Sequence, residues 1–255
     1  MILVRTISIL LLLAMGLTGP AWAQNDAMRA RLSAEKLGNV EAGIYSAGDN
    51  VNFTLEPYAG KYLLRFSDGP EAYLLTVERV LLGGRILRYD TGAVALRVSV
   101  WGSMTLYTVA TPGGLPATKT GEEIAPPAPP VSRDDLTAAM ADEKSHLAYT
   151  TQLRLRFAVD PALLNAGDDQ RRLAFDALVS AEAGIERLMA APGGREAFTR
   201  RFDTIRLVQG DKPGVTVSGK TLLVSFAPAD GVAGHASSRE VALELGKMLQ
   251  IAEAG

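Results

Sequence analysis

The sequence predicts an α+β chain with an N-terminal antiparallel β-meander, a Pro-rich linker and a C-terminal mixed α+β half. Three observations carry that prediction. Across residues 58–110 apolar side chains recur at every second position in short runs, the pattern of strands with one buried face. Residues 111–133 hold Pro112-Gly-Gly114, Pro116 and the run Ala125-Pro-Pro-Ala-Pro-Pro130, a composition that favours extended polyproline backbone. From residue 134 onward, stretches with helical spacing alternate with short β-branched runs.

Residues 1–23 form the first segment. Arg5 is followed by an apolar run over residues 7–17, then Pro20 and Ala21-Trp22-Ala23. A positive start, a short apolar core and an A-x-A site make a secretory signal peptide, cleaved after Ala23. The run is shorter than the 18 or more apolar residues of a spanning helix. The expected location is the periplasm, in solution, with no transmembrane anchor in the mature chain.

Residues 24–57 are expected to be a helix and loop, the helix covering 26–37 and stopping at Gly38, a favoured residue just past a helix end. In the meander, strands are expected at 62–66, 73–82, 85–89, 93–101 and 104–109. Asp90-Thr91-Gly92 and Gly102-Ser103 serve as connections, the second suited to a two-residue type II′ hairpin. A meander of about 50 residues has too little core to be very stable alone and is expected to dock on the C-terminal half. Residues 111–133 are assigned to the linker, where neither strand pairing nor a helix is expected.

Residues 134–255 complete the chain. A helix over 134–149 has Ser132 as N-cap and Asp135 three residues on, a capping-box spacing. Leu153, Leu155, Phe157 and Val159 alternate up to Asp160-Pro161. Asp168-Asp169 opens a long helix with Leu173, Ala177, Leu178, Ala181, Ile185, Leu188 and Met189 on one side. Pro192-Gly193-Gly194 ends it, and Phe198 and Phe202 mark a short helix. Strands are expected at 205–208, 215–217 and 221–226, in a small, mostly antiparallel sheet. The last helix runs from Ser237 to about Ala252, opens on a Ser237/Glu240 capping box, and is expected to bury Val241, Leu245, Met248 and Ala252.

Composition narrows the function. The chain has no cysteine, so disulfides, thiolate metal sites and a lipid anchor on an N-terminal cysteine are all ruled out. Without the signal peptide, which carries only Arg5, 25 basic residues face 28 acidic ones, a net charge of about −3. That balance gives no global pull toward nucleic acid.

Four motif matches fail in their context. Gly214 to Thr221 fits G-x-x-x-x-G-K-[ST], yet β-branched residues alternate inside it and a strand follows, so it reads as a hairpin turning at Ser218-Gly219-Lys220. Asp90-Thr91-Gly92-Ala93 matches the aspartic-protease signature, but turn chemistry explains the same residues. Ser33-Ala-Glu-Lys36 and Lys119-Thr-Gly121 reproduce pieces of penicillin-binding enzymes with a meander between them. Glu143 and His146, three apart on one helix, would supply half of a metal site, but with two histidines in the chain and no H-E-x-x-H they are assigned as a surface pair. No metal, no cofactor and no complete catalytic set is expected.

The candidate site is the loop Gly231-Val-Ala-Gly234-His235-Ala-Ser237-Ser238-Arg239, which delivers His235, Ser237, Ser238 and Arg239 to a helix N-terminus suited to an anion. The run from Ile86 to Thr108, together with residues 234–239, resembles an uncharacterised family of exported bacterial proteins classed as a domain of unknown function, over most of the mature chain. That resemblance implies no activity and assigns no catalytic residue. The expected function is non-enzymatic binding in the cell envelope, of an envelope protein or a small anionic ligand. The alternative is an envelope hydrolase, peptidase or esterase-like, using His235 with Ser237 or Ser238, or an Asp90 dimer.

Overall fold

The computed structural model describes residues 39–122 and 129–251. The signal peptide expected at residues 1–23, the helix expected at 26–37 and its Gly38 stop lie outside the described residues. Eight strands come first: β1 (Gly43–Ala47), β2 (Val51–Tyr58), β3 (Lys61–Phe66), β4 (Ala72–Arg79), β5 (Arg85–Arg88), β6 (Val94–Val98), β7 (Met104–Leu106) and β8 (Leu115–Gly121). Each pairs antiparallel with the next, and β1 pairs with β8, so the meander is a closed barrel. Eight strands enclose a space that side chains can fill. Phe53, Leu55, Leu64, Leu75, Leu87, Leu96 and Leu106 are fully buried in this core. A chain of rings runs through it, Tyr45 stacked on Phe53 at 5.3 Å, then Phe66, Tyr73 and Tyr89 meeting edge to face or tilted.

The strands that close the barrel correct the reading of residues 24–57 and 111–133. β1 and β2 lie where a loop was expected, and β8 lies inside the proline-rich stretch, where pairing was not expected. Half-buried Leu115, Ala117, Lys119 and Gly121 alternate with exposed Pro116, Thr118 and Thr120. The period of two was therefore present, masked by the Pro and Gly around it. Pro116 gives the sheet no N–H, yet its carbonyl accepts from Gly48 N at 3.2 Å. Closure also needs Gly43: at φ +147° it faces β8, and a Cβ there would lie 2.4 Å from Gly121 O. Lys119-Thr-Gly121 thus sits on the closing strand rather than in a linker.

Both short hairpins are three-residue connections with glycine third. Tyr89 N donates to Ala93 O and Gly92 N to Tyr89 O, each at 2.9 Å, with Gly92 at φ +84°. The Ser99–Ser103 connection repeats the pattern with Gly102, also at φ +84°. This replaces the type II′ link expected at Gly102-Ser103: glycine takes the left-handed position that closes a type I turn, and Trp101 stands exposed in the turn.

The remaining residues form helices α1 (Arg133–Thr150), α2 (Pro161–Leu164), α3 (Asp168–Met189), α4 (Gly194–Arg201) and α5 (Ser238–Leu249), with strands β9 (Arg156–Val159), β10 (Thr204–Gln209), β11 (Gly214–Ser218) and β12 (Thr221–Phe226). The capping box of α1 is complete. The stripe along α3 is buried except Met189, which is half-buried. The sheet order is β11-β12-β10-β9, with only β11–β12 antiparallel. This corrects the expected mostly antiparallel sheet. The helices α2 to α4 carry the chain back to its starting side, which makes β9 and β10 parallel, and β12 enters beside β10. The β11–β12 turn falls at Gly219-Lys220, so the P-loop look-alike is a hairpin. Helices α1, α3 and α5 lie side by side, against β9, β12 and β11 respectively. Leu178, Ile185, Phe198, Leu222, Phe226 and Leu245 are among the buried residues of this second core. Met248, expected inside, is about a third exposed because α5 turns that side outward, and Ala252 lies outside the described residues.

Candidate functional site

Successive antiparallel strands reverse direction, so the β3–β4 and β5–β6 turns emerge at one rim of the barrel. That rim carries Glu71 and Asp90, and both reach the N-terminus of α5. The amide of Ser237 donates to Asp90 Oδ2 at 2.9 Å, and Ser237 Oγ donates to Asp90 Oδ1 at 2.7 Å. The amide and hydroxyl of Ser238 donate to the two oxygens of Glu71, each at 2.6 Å. A helix start has free N–H groups and a partial positive charge, and here two carboxylates of the same chain meet it. Ser237 Oγ also accepts from Glu240 N at 3.2 Å. The expected capping box is therefore half formed: Asp90 takes the Ser237 amide that the Glu240 side chain would have held.

Two arginines surround this junction. Arg187, near the end of α3, donates from Nε to Ser238 Oγ at 3.0 Å and from Nη2 to Tyr73 Oη at 3.3 Å. Burial, and next the neighbouring Glu71 carboxylate, push the Tyr73 phenol up to about 12. Arg239 lies over the Tyr89 ring, 4.1 Å from its centre, within cation–π range. Its Nε is buried with no hydrogen-bond partner among the described residues. Farther along, Tyr58 Oη accepts from Val232 N at 3.1 Å. The expected docking of the strands on the C-terminal half thus runs through a polar seam.

Two clefts flank the seam. One, of about 450 Å³, is walled by Ala93, Val109, Leu188, Ala191, Leu243 and Ile251, with Arg187 and Arg239 beside them. The other, of about 590 Å³, brings Tyr58, Lys61, Asp90, His235 and Glu240 together with apolar Leu74 and Pro213. Burial holds the His235 imidazole below its ordinary range against the pull of Asp176, Glu71 and Asp90, with Arg172 also lowering it. Its Nδ1 is buried without a partner among the described residues.

A family model described as a domain of unknown function, DUF4908, matches residues 25–245. The chain belongs to the DUF4908 family. No curated protein and no solved structure matches it. The DUF4908 match takes in the whole barrel, the four-stranded sheet and both sides of the seam.

The structure brings His235, Ser237, Ser238 and Arg239 to one junction, in unlike roles. Both serine hydroxyls are committed to carboxylates, and no hydrogen bond joins His235 to either of them among the described residues. Asp90 sits in a hairpin turn as expected, with its carboxylate turned to Ser237. Glu71, Tyr73, Tyr89 and Arg187 were not singled out in the sequence. Only the three-dimensional pairing of the rim with α5 exposes them, although a Glu directly after Pro70, at the entry to a strand, offered a weak signal.

Away from the seam, Glu143 and His146 are not an isolated surface pair. Glu182 and Glu186 of α3 face His146 of α1, with His146 Nε2 at 3.4 Å from Glu182 Oε1 and 3.1 Å from Glu186 Oε1. Among the described residues no helix is long and apolar enough to cross a membrane.

Proposed function

We propose that this DUF4908 protein is a non-enzymatic binding protein of the bacterial cell envelope, exported to the periplasm by its N-terminal signal. Its ligand is a small molecule with an apolar body and an anionic head, held in the 450 Å³ cleft beside the seam. The observation that carries this reading is the pairing of an aliphatic wall with two guanidinium groups, one of them with a buried Nε that no group among the described residues satisfies. A buried donor of that kind costs free energy until an acceptor reaches it. A carboxylate or phosphate head would meet Arg239 and Arg187, and the chain behind it would cover Leu188, Leu243 and Ile251. The helix start itself is not the ligand site in this reading, because Asp90 and Glu71 already meet it.

Binding without chemistry is supported by the serines. A nucleophile needs a base within hydrogen-bond reach, and the Ser237 and Ser238 hydroxyls both donate to carboxylates instead.

The test is a thermal-shift titration with decanoate, decyl phosphate and decanol, each below its micelle concentration. Decanoate and decyl phosphate are expected to raise the melting temperature in a saturable way, since a ligand of the native state stabilises it by mass action, while decanol does not. Arg239→Ala is expected to abolish the shift. Equal responses to all three probes, or a shift indifferent to Arg239→Ala, would reject the reading.

A further inference from the structure

The cluster between α1 and α3 is separate from the seam. Glu143-x-x-His146 lies on one helix and Glu182-x-x-x-Glu186 on the other. Spacings of three and four residues put each pair on one helix side, and the packing of α1 on α3 turns the two pairs toward each other. One donor atom from each of His146, Glu182 and Glu186 lies within 4.8 Å of the other two. Donors around a tetrahedral ion at 2.0–2.1 Å are about 3.3 Å apart, close to the 3.1 and 3.4 Å seen from His146 Nε2 to the two carboxylates.

Charge explains why this is more than an ion pair. Glu182 is buried, at 8 % exposure, and its Oε1 has no hydrogen bond among the described residues. Among the described residues neither Glu182 nor Glu186 is bridged by a lysine or arginine, and the half-exposed His146 imidazole is the one basic side chain in contact with both. Uncompensated carboxylates in a partly buried place are costly unless a cation meets them. Thr150 Oγ1 donates to Glu186 Oε1 at 2.8 Å and fixes that carboxylate's direction, the kind of outer hydrogen bond that orients metal ligands. Facing helices with inward Glu and Glu-x-x-His are also how helical proteins build carboxylate metal centres.

We propose that His146, Glu182 and Glu186 bind one first-row divalent cation between α1 and α3. One imidazole nitrogen with carboxylate oxygens suits Zn²⁺, Mn²⁺ or Fe²⁺ better than Mg²⁺ or Ca²⁺, which prefer all-oxygen sets. Three protein donors leave a position for water on the side where His146 is exposed. Binding replaces the His146–Glu186 hydrogen bond with coordination.

The test is isothermal titration of the chelator-treated, tag-free chain with ZnCl₂, and in parallel with MnCl₂, at pH 7.5. One equivalent of Zn²⁺ is expected to bind and to raise the melting temperature. His146→Ala, at an exposed site, and Glu186→Gln, at a half-buried one, are each expected to weaken Zn²⁺ binding 10- to 100-fold, with metal-free melting temperatures close to that of the unsubstituted chain. Glu182→Gln is expected to lose Zn²⁺ binding while its metal-free form melts no lower, since the change removes a buried like charge. X-ray absorption of the Zn²⁺ form is expected to show nitrogen and oxygen donors with one imidazole. Absence of saturable uptake, or a Zn²⁺ affinity unchanged in both His146→Ala and Glu186→Gln, overturns the proposal. These outcomes do not depend on the seam ligand, which has its own probes and its own variant.

Discussion

Ser237 and Ser238 each join two parts of the chain through one side chain and one amide. Ser237 caps α5 and ties it to Asp90. Ser238 stands between the Glu71 carboxylate and the Arg187 guanidinium, so a buried negative charge and a positive one are linked through its hydroxyl. Ser237→Ala removes an N-cap together with a charge-assisted bond and is expected to cost about 1–2 kcal/mol. Ser238→Ala leaves Glu71 buried with one donor fewer and is expected to cost about 1–3 kcal/mol. Urea unfolding at neutral pH measures both. His235 sets a pH dependence. Its folded pKa lies below the ordinary value of about 6.5, so the unfolded chain takes up the proton first. The stability that comes from a neutral His235 is complete above that value and is lost as the pH falls below it, toward the depressed folded value. His235→Gln is expected to flatten the fall in urea midpoint between pH 7 and pH 5. A fall as steep as that of the unsubstituted chain would show that His235 does not carry the effect. The loop from Gly231 to Arg239 was legible as a helix start that gathers polar groups, because capping and glycine chemistry are local. Its partners were not legible: Asp90 and Glu71 lie 147 and 167 residues upstream, and nothing local records that distance.

Among the helices, α3 and α5 pack closely against each other. Gly184 lets the two helices meet, and a Cβ there would stand 2.6 Å from Val241 Cβ and 2.9 Å from Ser238 O. Gly184→Ala gains helix propensity of about 1 kcal/mol, yet the overpacking costs about 1–3 kcal/mol. Because the displaced neighbours include backbone at the start of α5, the net change is expected to be a loss of stability, visible as a lower urea midpoint. Gly184→Ala would also push Arg187 and Arg239 apart, so the seam cleft should respond as well. Helices α1, α3 and α5 and the β11–β12 hairpin were legible in the sequence, each from a signal contained within its own residues. Strands β1, β2 and β8 were obscured because their polar, glycine and proline content resembles loop, and in β8 no residue is fully buried. Parallel pairing of β9, β10 and β12 was hidden for another reason: it depends on where the helices return the chain, which no strand encodes.

At the scale of the whole molecule, two cores meet through polar groups rather than through a shared apolar layer. The barrel core and the helix–sheet core are separate clusters, joined by Asp90, Glu71, Tyr58 and Tyr73. The barrel closes on itself and leaves no strand edge, whereas the four-stranded sheet ends in β9 and β11. Calorimetry of the full chain is expected to give one cooperative transition, since unfolding either part strips partners from the other's buried groups. Residues 39–122 expressed alone are expected to melt at a lower temperature, with Glu71 no longer held by Ser238. Two well-separated transitions, with the lower one unchanged in the isolated barrel, would show that the seam carries no coupling.

The contacts at the start of α5 reach back 147 and 167 residues along the chain, and this bears on the order of folding. Contacts between residues so far apart form late, after the loops between them have closed. A chain made N-terminus first has both acceptor carboxylates in place on a finished barrel before Ser237 and Ser238 are synthesised. The seam then belongs to the downhill side of the folding barrier, where interactions govern how fast a native molecule opens rather than how fast it forms. The barrel rim in effect acts as a latch on the last helix, and its strength sets the lifetime of the folded state.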